Sequence, residues 1–127
     1  MTETTVLIIY GFLVIVTLLL QATGALTQLG LGYLLGSRDE GRTVDGIAAR
    51  LERALGNSIT AMALFAPAVL LIVTLEKSTT QSVLAAQVFL VARVVYLPSY
   101  ALGIVGVRSL AWTVGLLATA LLYFSAL

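Results

Sequence analysis

From Val6 to Leu35 the chain carries no charged residue. At about 1.5 Å of rise per residue, some 20 helical residues cross the roughly 30 Å hydrocarbon core of a bilayer, so a stretch this long can span and protrude. Its first half, Val6 to Leu20, is almost wholly aliphatic. Its second half mixes Gln21, Thr23, Thr27 and Gln28 with Gly24, Gly30 and Gly32, the polar and small residues that membrane helices present to one another. Gln21 and Gln28 share a helical face and are expected either to bond between helices or to line a pocket.

Three further apolar stretches follow: about Gly46 to Leu75, Gln81 to Leu97 and Arg108 to Phe124. Pro67 lies inside the second, where a membrane bundle tolerates it as a kink. Pro98 is expected to end the third, because the residue before a proline is pushed out of the helical region. Asp45 is the expected N-cap of the second span. The connections are the polar loop Gly36 to Gly46, the turn Glu76 to Thr80 and the segment Pro98 to Val107, which reads either as a short connection or as a helix extension. With no internal repeat and no Gly/Ser linker, residues 1–127 read as one all-α domain, an integral membrane bundle of four helices. Composition agrees: 10% of residues are charged, against roughly 25% in soluble domains, too few to cover a surface facing water.

Several classes of function are excluded. The net charge is +1 and no basic run is interleaved with aromatics, which argues against nucleic acid. Cysteine and histidine are both absent, removing thiolate and imidazole metal ligands, disulfides and the usual proton shuttle. Any thiol chemistry must use the substrate's thiol. A small drug/proton antiporter needs a carboxylate within the membrane, whereas Glu3, Asp39, Glu40, Asp45, Glu52 and Glu76 fall in the tail, the loops or near helix ends. The start of the chain has no basic residue and a long apolar run behind it, so it reads as a retained span rather than a cleaved signal.

Basic residues set the expected orientation. Arg38, Arg42, Arg50 and Arg53 belong to the first connection and the adjoining helix start, Arg93 and Arg108 flank the third, and the second holds only Lys77. Connections 36–53 and 98–108 are therefore expected on the cytoplasmic side and the termini on the other. That topology gathers three polar stripes in one leaflet: Arg50, Arg53, Asn57 and Thr60; Arg93, Tyr96 and Tyr100; and Arg108 and Ser109, with Trp112 and Thr113 one turn later. The first two stripes follow the spacing of one helical face. Taken singly, such residues anchor a helix to headgroups. Together they make a cationic rim suited to a ligand with carboxylates, and one that stabilises a bound thiolate.

The chain resembles the MAPEG superfamily, the membrane-associated proteins of eicosanoid and glutathione metabolism, as a bacterial member. The resemblance rests on Arg53-Ala54-Leu55-Gly56-Asn57-Ser58-Ile59-Thr60 in the second span, against the family's Arg-Ala-x-x-Asn-x-x-Glu. It rests also on Ala92-Arg93-Val94-Val95-Tyr96-Leu97-Pro98-Ser99-Tyr100 in the third and on Arg108-Ser109 opening the fourth. It implies a homotrimer whose active sites lie between subunits and open to the cytoplasm. It implies glutathione as co-substrate, held by Arg38, Arg50, Arg53, Asn57, Thr60, Arg93, Tyr96 and Tyr100, with Arg108 stabilising the thiolate and Ser109 assisting. The reaction implied is that of a membrane-bound glutathione transferase or peroxidase acting on a lipophilic electrophile in a bacterial inner membrane, without a metal. The alternative is a non-catalytic protein of the same fold that binds a lipid or another anion. Thr60 departs from the motif: a hydroxyl stands where the family has a carboxylate, so a charge-assisted bond of about 1.5–3 kcal/mol is lost there.

Overall fold

The computed structural model describes residues 1–127. Its helices run in the order α1 (Glu3–Leu29), α2 (Leu31–Leu35), α3 (Gly46–Thr74), α4 (Thr80–Ala101) and α5 (Val105–Ala126). All but α2 are long and apolar enough to cross a membrane. The short α2 is the detached end of the expected first span. Gly30 takes φ +83°, a left-handed value open to glycine, and this breaks the helix into two.

The third span also differs from expectation. Helix α4 passes through Pro98 and ends at Ala101. A proline costs one backbone bond and crowds the preceding turn, but partners in that turn keep the helix intact. Ser99 Oγ donates to the Val95 carbonyl at 2.7 Å, and Tyr96 and Ser99 are buried. Near Pro67, inside α3, the Tyr123 hydroxyl of α5 likewise donates to the Leu64 carbonyl at 2.7 Å. These bonds fall on the carbonyl next to the one, four residues back, that each proline deprives of an N–H, and they hold the turn in which each proline sits. The helical path through Pro98 keeps Arg93, Tyr96 and Tyr100 on one face.

The two ends of the bundle are fastened differently. At one end, the Ser78 hydroxyl donates to the Glu3 carboxylate at 2.8 Å, and Ser82 donates to it as well. Lys77 Nζ caps the Ala126 carbonyl of α5 at 3.2 Å. Both termini and the α3–α4 turn therefore share this end. Glu3 is a correction to the sequence reading: it lies in the first turn of α1 and is 2% exposed, not in a free tail. It sits against the N-terminus of α4, where helix dipole and hydroxyl donors both favour a carboxylate. At the other end, Gln28 clips α1 to the start of α3: its amide donates to the Asp45 carbonyl at 3.1 Å and accepts from the Asp45 N–H at 2.9 Å. Asp45 has the extended backbone of an N-cap, but its carboxylate makes no cap bond. Gln28 thus makes the interhelical bond expected of it.

The core lies between α1, α3, α4 and α5 near the termini. Val6 and Tyr10 meet Phe65, Ala68, Val69 and Ile72, with Ala86 and Phe89 from α4 and Leu122 from α5. Phe65 and Phe89 stack at 3.9 Å between ring centroids, and Tyr10 meets Phe89 edge-on at 4.9 Å. The opposite faces carry Leu18, Leu19, Leu70, Leu71, Leu117 and Leu121 on the outside. Outward aliphatic residues on every long helix, Leu84 and Val91 on α4 among them, fit a lipid surround.

Candidate functional site

Away from the termini, α3, α4 and α5 bring the polar stripes into two adjoining groups. The outer group is built on Tyr100, near the end of α4. Arg53 Nε of α3 donates to the Tyr100 hydroxyl at 3.1 Å. Arg108, in the first turns of α5, lies over the same ring with Cζ 4.8 Å from its centroid. Two cations from different helices thus share one phenol, by a charge-assisted hydrogen bond and by attraction to the ring face. Arg53 is exposed, Tyr100 and Arg108 are half-buried, and Ser109 is exposed beside Arg108. No carboxylate takes part: the one ion pair of the chain is Arg42 with Glu40, in the loop.

The inner group is organised by Arg93, which is 3% exposed. Its Nη1 donates to Asn57 Oδ1 at 2.9 Å and its Nη2 to Ser58 Oγ at 3.1 Å, while Nε has no partner. The guanidinium lies 4.1 Å from the centroid of Tyr96, which is itself buried against Ala54 and Ala111. Tyr10 completes the group from α1, donating to the Ser58 carbonyl at 2.8 Å. The two groups touch through Tyr96 and Tyr100, whose rings stand 5.6 Å apart.

The sequence-selected residues therefore occupy different surroundings. Arg53, Tyr100, Arg108 and Ser109 gather at the exposed rim. Arg93 and Tyr96 lie inside, with Asn57 half-buried between the two. Thr60 is exposed, and its hydroxyl donates to the Gly56 carbonyl of its own helix at 3.0 Å. Arg50 packs elsewhere: its Nη1 reaches the Ala101 carbonyl at 3.4 Å, capping the last turn of α4 beneath Gly103. Arg38 stays in the first loop, folded back on the Leu34 carbonyl at 3.1 Å, with φ +59°. In the same loop the Tyr33 hydroxyl accepts from the Arg42 N–H at 2.7 Å. Hydrogen bonding to Glu40, and then its charge, holds the Arg42 pKa above the ordinary arginine value.

Ser58, Tyr10 and Gly115 were not among the sequence-selected residues, whereas Trp112 was part of the third stripe. Ser58 follows Ala54 by one turn on the packing face of α3, adjacent to the stripe that holds Asn57, and the motif spacing passes over it. Tyr10 was visible as the one hydroxyl-bearing aromatic in an aliphatic run. Gly115 of α5 faces the Arg93 stem, and a methyl there would make ordinary contact with Arg93 Cδ at 3.7 Å. With Asn57, Thr60, Arg93, Trp112 and Thr119, Gly115 lines a cavity of about 70 Å³ between α3, α4 and α5.

This assembly suits anions. The rim offers guanidinium groups without competing carboxylates, held on helices rather than on loops, and a phenol between them. No curated protein and no solved structure matches the chain. A family model, described as MAPEG family, matches residues 4–127, taking in every helix that contributes to the rim and to the buried arginine group. The chain therefore belongs to the MAPEG family.

Proposed function

We propose that the protein is a membrane-bound glutathione transferase- or peroxidase-like enzyme, working as a homotrimer. The observation that carries this reading is that Arg53 and Arg108, from different helices, meet on Tyr100 at a rim with no carboxylate. In the proposed reaction Arg108 stabilises the glutathione thiolate, so the thiol gives up its proton to water at neutral pH. The sulfur then forms a bond to the electrophilic carbon of a lipophile; in a substitution the leaving group departs with its bonding electron pair, and in an addition the displaced electron pair stays on the product and takes up a proton from solvent. Ser109, exposed beside Arg108, supplies a hydroxyl to the sulfur. Arg53 and Asn57 hold the carboxylates and amides of the tripeptide, and Arg38 reaches it from a neighbouring subunit. The lipophile enters sideways from the bilayer. By the positive-inside tendency the rim faces the cytoplasm, in a bacterial inner membrane.

Thr60 favours a second reading, a non-catalytic protein of the same fold that binds a lipid or another anion. The threonine brings no charge to the motif, and its hydroxyl is engaged with Gly56. Titration calorimetry of the detergent-solubilised protein separates the two. The enzymatic reading expects saturable heat with glutathione. Saturable heat with a fatty acid and none with glutathione would overturn it.

A further inference from the structure

Arg93 is a buried cation without a counter-ion. Its neighbours at hydrogen-bond distance are an amide oxygen and a hydroxyl, both neutral, and a phenol ring lies against its face. Removing an unpaired charge from water is among the costliest events in a fold. The adjacent cavity of about 70 Å³ exceeds the roughly 30 Å³ that one water occupies in the liquid. Three of its polar groups can donate into it. Arg93 Nε has no acceptor, Asn57 commits its oxygen to Arg93 and leaves its NH₂ free, and the Trp112 indole has only an N–H to give. The hydroxyls of Thr60 and Thr119 already donate to the Gly56 and Gly115 carbonyls and have no proton left for an anion, so the anion is held from the side of Arg93, Asn57 and Trp112. No acidic residue lines it.

We propose that this cavity holds a single monovalent anionic group against Arg93, standing in for the carboxylate that the motif carries at the position of Thr60. The group is either a free small ion such as chloride or the head of a lipophilic carboxylate. The second source is open to it because Leu64, Trp112 and Leu116 carry the cavity wall out to the apolar surface between α3 and α5. A bound anion stabilises the fold by mass action, along a saturation curve in its concentration.

The test is thermal unfolding of the solubilised protein without glutathione, so its outcome is separable from that of the thiol assay. Sodium chloride replaces sodium gluconate at constant ionic strength in one arm. A medium-chain fatty acid replaces the matching alcohol in the other. The wild type is expected to gain thermal stability, with saturation, from chloride or from the fatty acid, and the arm that responds names the source. Thr60→Glu supplies an internal carboxylate and is expected to be insensitive to both. Thr60→Val keeps the shape of threonine without charge and is expected to respond as the wild type does. Arg93 itself is left intact, since its loss would unfold the inner group. No response to either anion in the wild type would overturn the proposal, leaving neutral water in the cavity. Equal responses in wild type and Thr60→Glu would overturn it as well.

Discussion

Tyr100 carries more of the rim than any other side chain, because its ring and hydroxyl serve different arginines. Tyr100→Phe removes the acceptor of Arg53 Nε and keeps the face beneath Arg108. That hydrogen bond lies within the protein and orients Arg53, so its loss is expected to lower glutathione affinity several-fold, about 1 kcal/mol, by calorimetry. Thermal stability is expected to stay within about 0.5 kcal/mol, as for other partly exposed substitutions. Gly103 is constrained in the opposite way. It holds φ +74°, and a methyl there would lie 3.3 Å from Arg50 Cζ. Gly103→Ala is expected to cost about 1–2 kcal/mol from backbone conformation alone, with a further displacement of Arg50 from the end of α4. Thermal unfolding in detergent measures the loss, and an unchanged midpoint would show that the turn tolerates a side chain.

At the scale of the helix, small residues decide how closely neighbours approach. A methyl on Gly24 of α1 would lie 3.0 Å from Ala48 Cβ of α3, and Ala48 Cα stands behind it at 3.5 Å. The obstacle is helix backbone, which cannot rotate away as a long side chain would. Gly24→Leu is therefore expected to destabilise by about 1–3 kcal/mol and to loosen the Gln28–Asp45 clip one turn on. Hydrogen exchange across Gly46–Arg50 reads this directly, and unchanged protection there would contradict it. Most helices were legible in the sequence because the apolar lengths are long and the breaks are polar. The break at Gly30 was not, since a glycine among leucines reads equally as a packing contact. Nor was the passage of α4 through Pro98, because a local steric preference loses to Ser99 and to the packing of Tyr96. The spacing of Arg93, Tyr96 and Tyr100 told which side chains share a face. It could not tell that Arg93 points inward while Tyr100 reaches the rim, because that depends on how α3, α4 and α5 pack. The same limit hid Ser58, and it left Glu3 looking like part of a loose tail when it is fastened to Ser78 and Ser82.

At the scale of the whole molecule, one chain leaves polar groups outside within otherwise apolar helices: Thr23 and Thr27 on α1, Arg53 and Thr60 on α3. Polar side chains are costly against lipid and commonly meet another helix instead. The homotrimer proposed above covers them and completes the rim from a neighbouring subunit. Native mass spectrometry from mild detergent is expected to give three chains per particle, and a monomer retaining full glutathione binding would contradict a shared site. The central claim is that Arg108, beside Tyr100, stabilises a bound thiolate. The ultraviolet absorbance of glutathione thiolate, followed as glutathione is titrated into the purified protein at neutral pH, tests it most directly. A saturable thiolate band in the wild type is expected, absent in Arg108→Ala at unchanged helical content. A band of equal strength in both proteins, or none in either, would contradict the account.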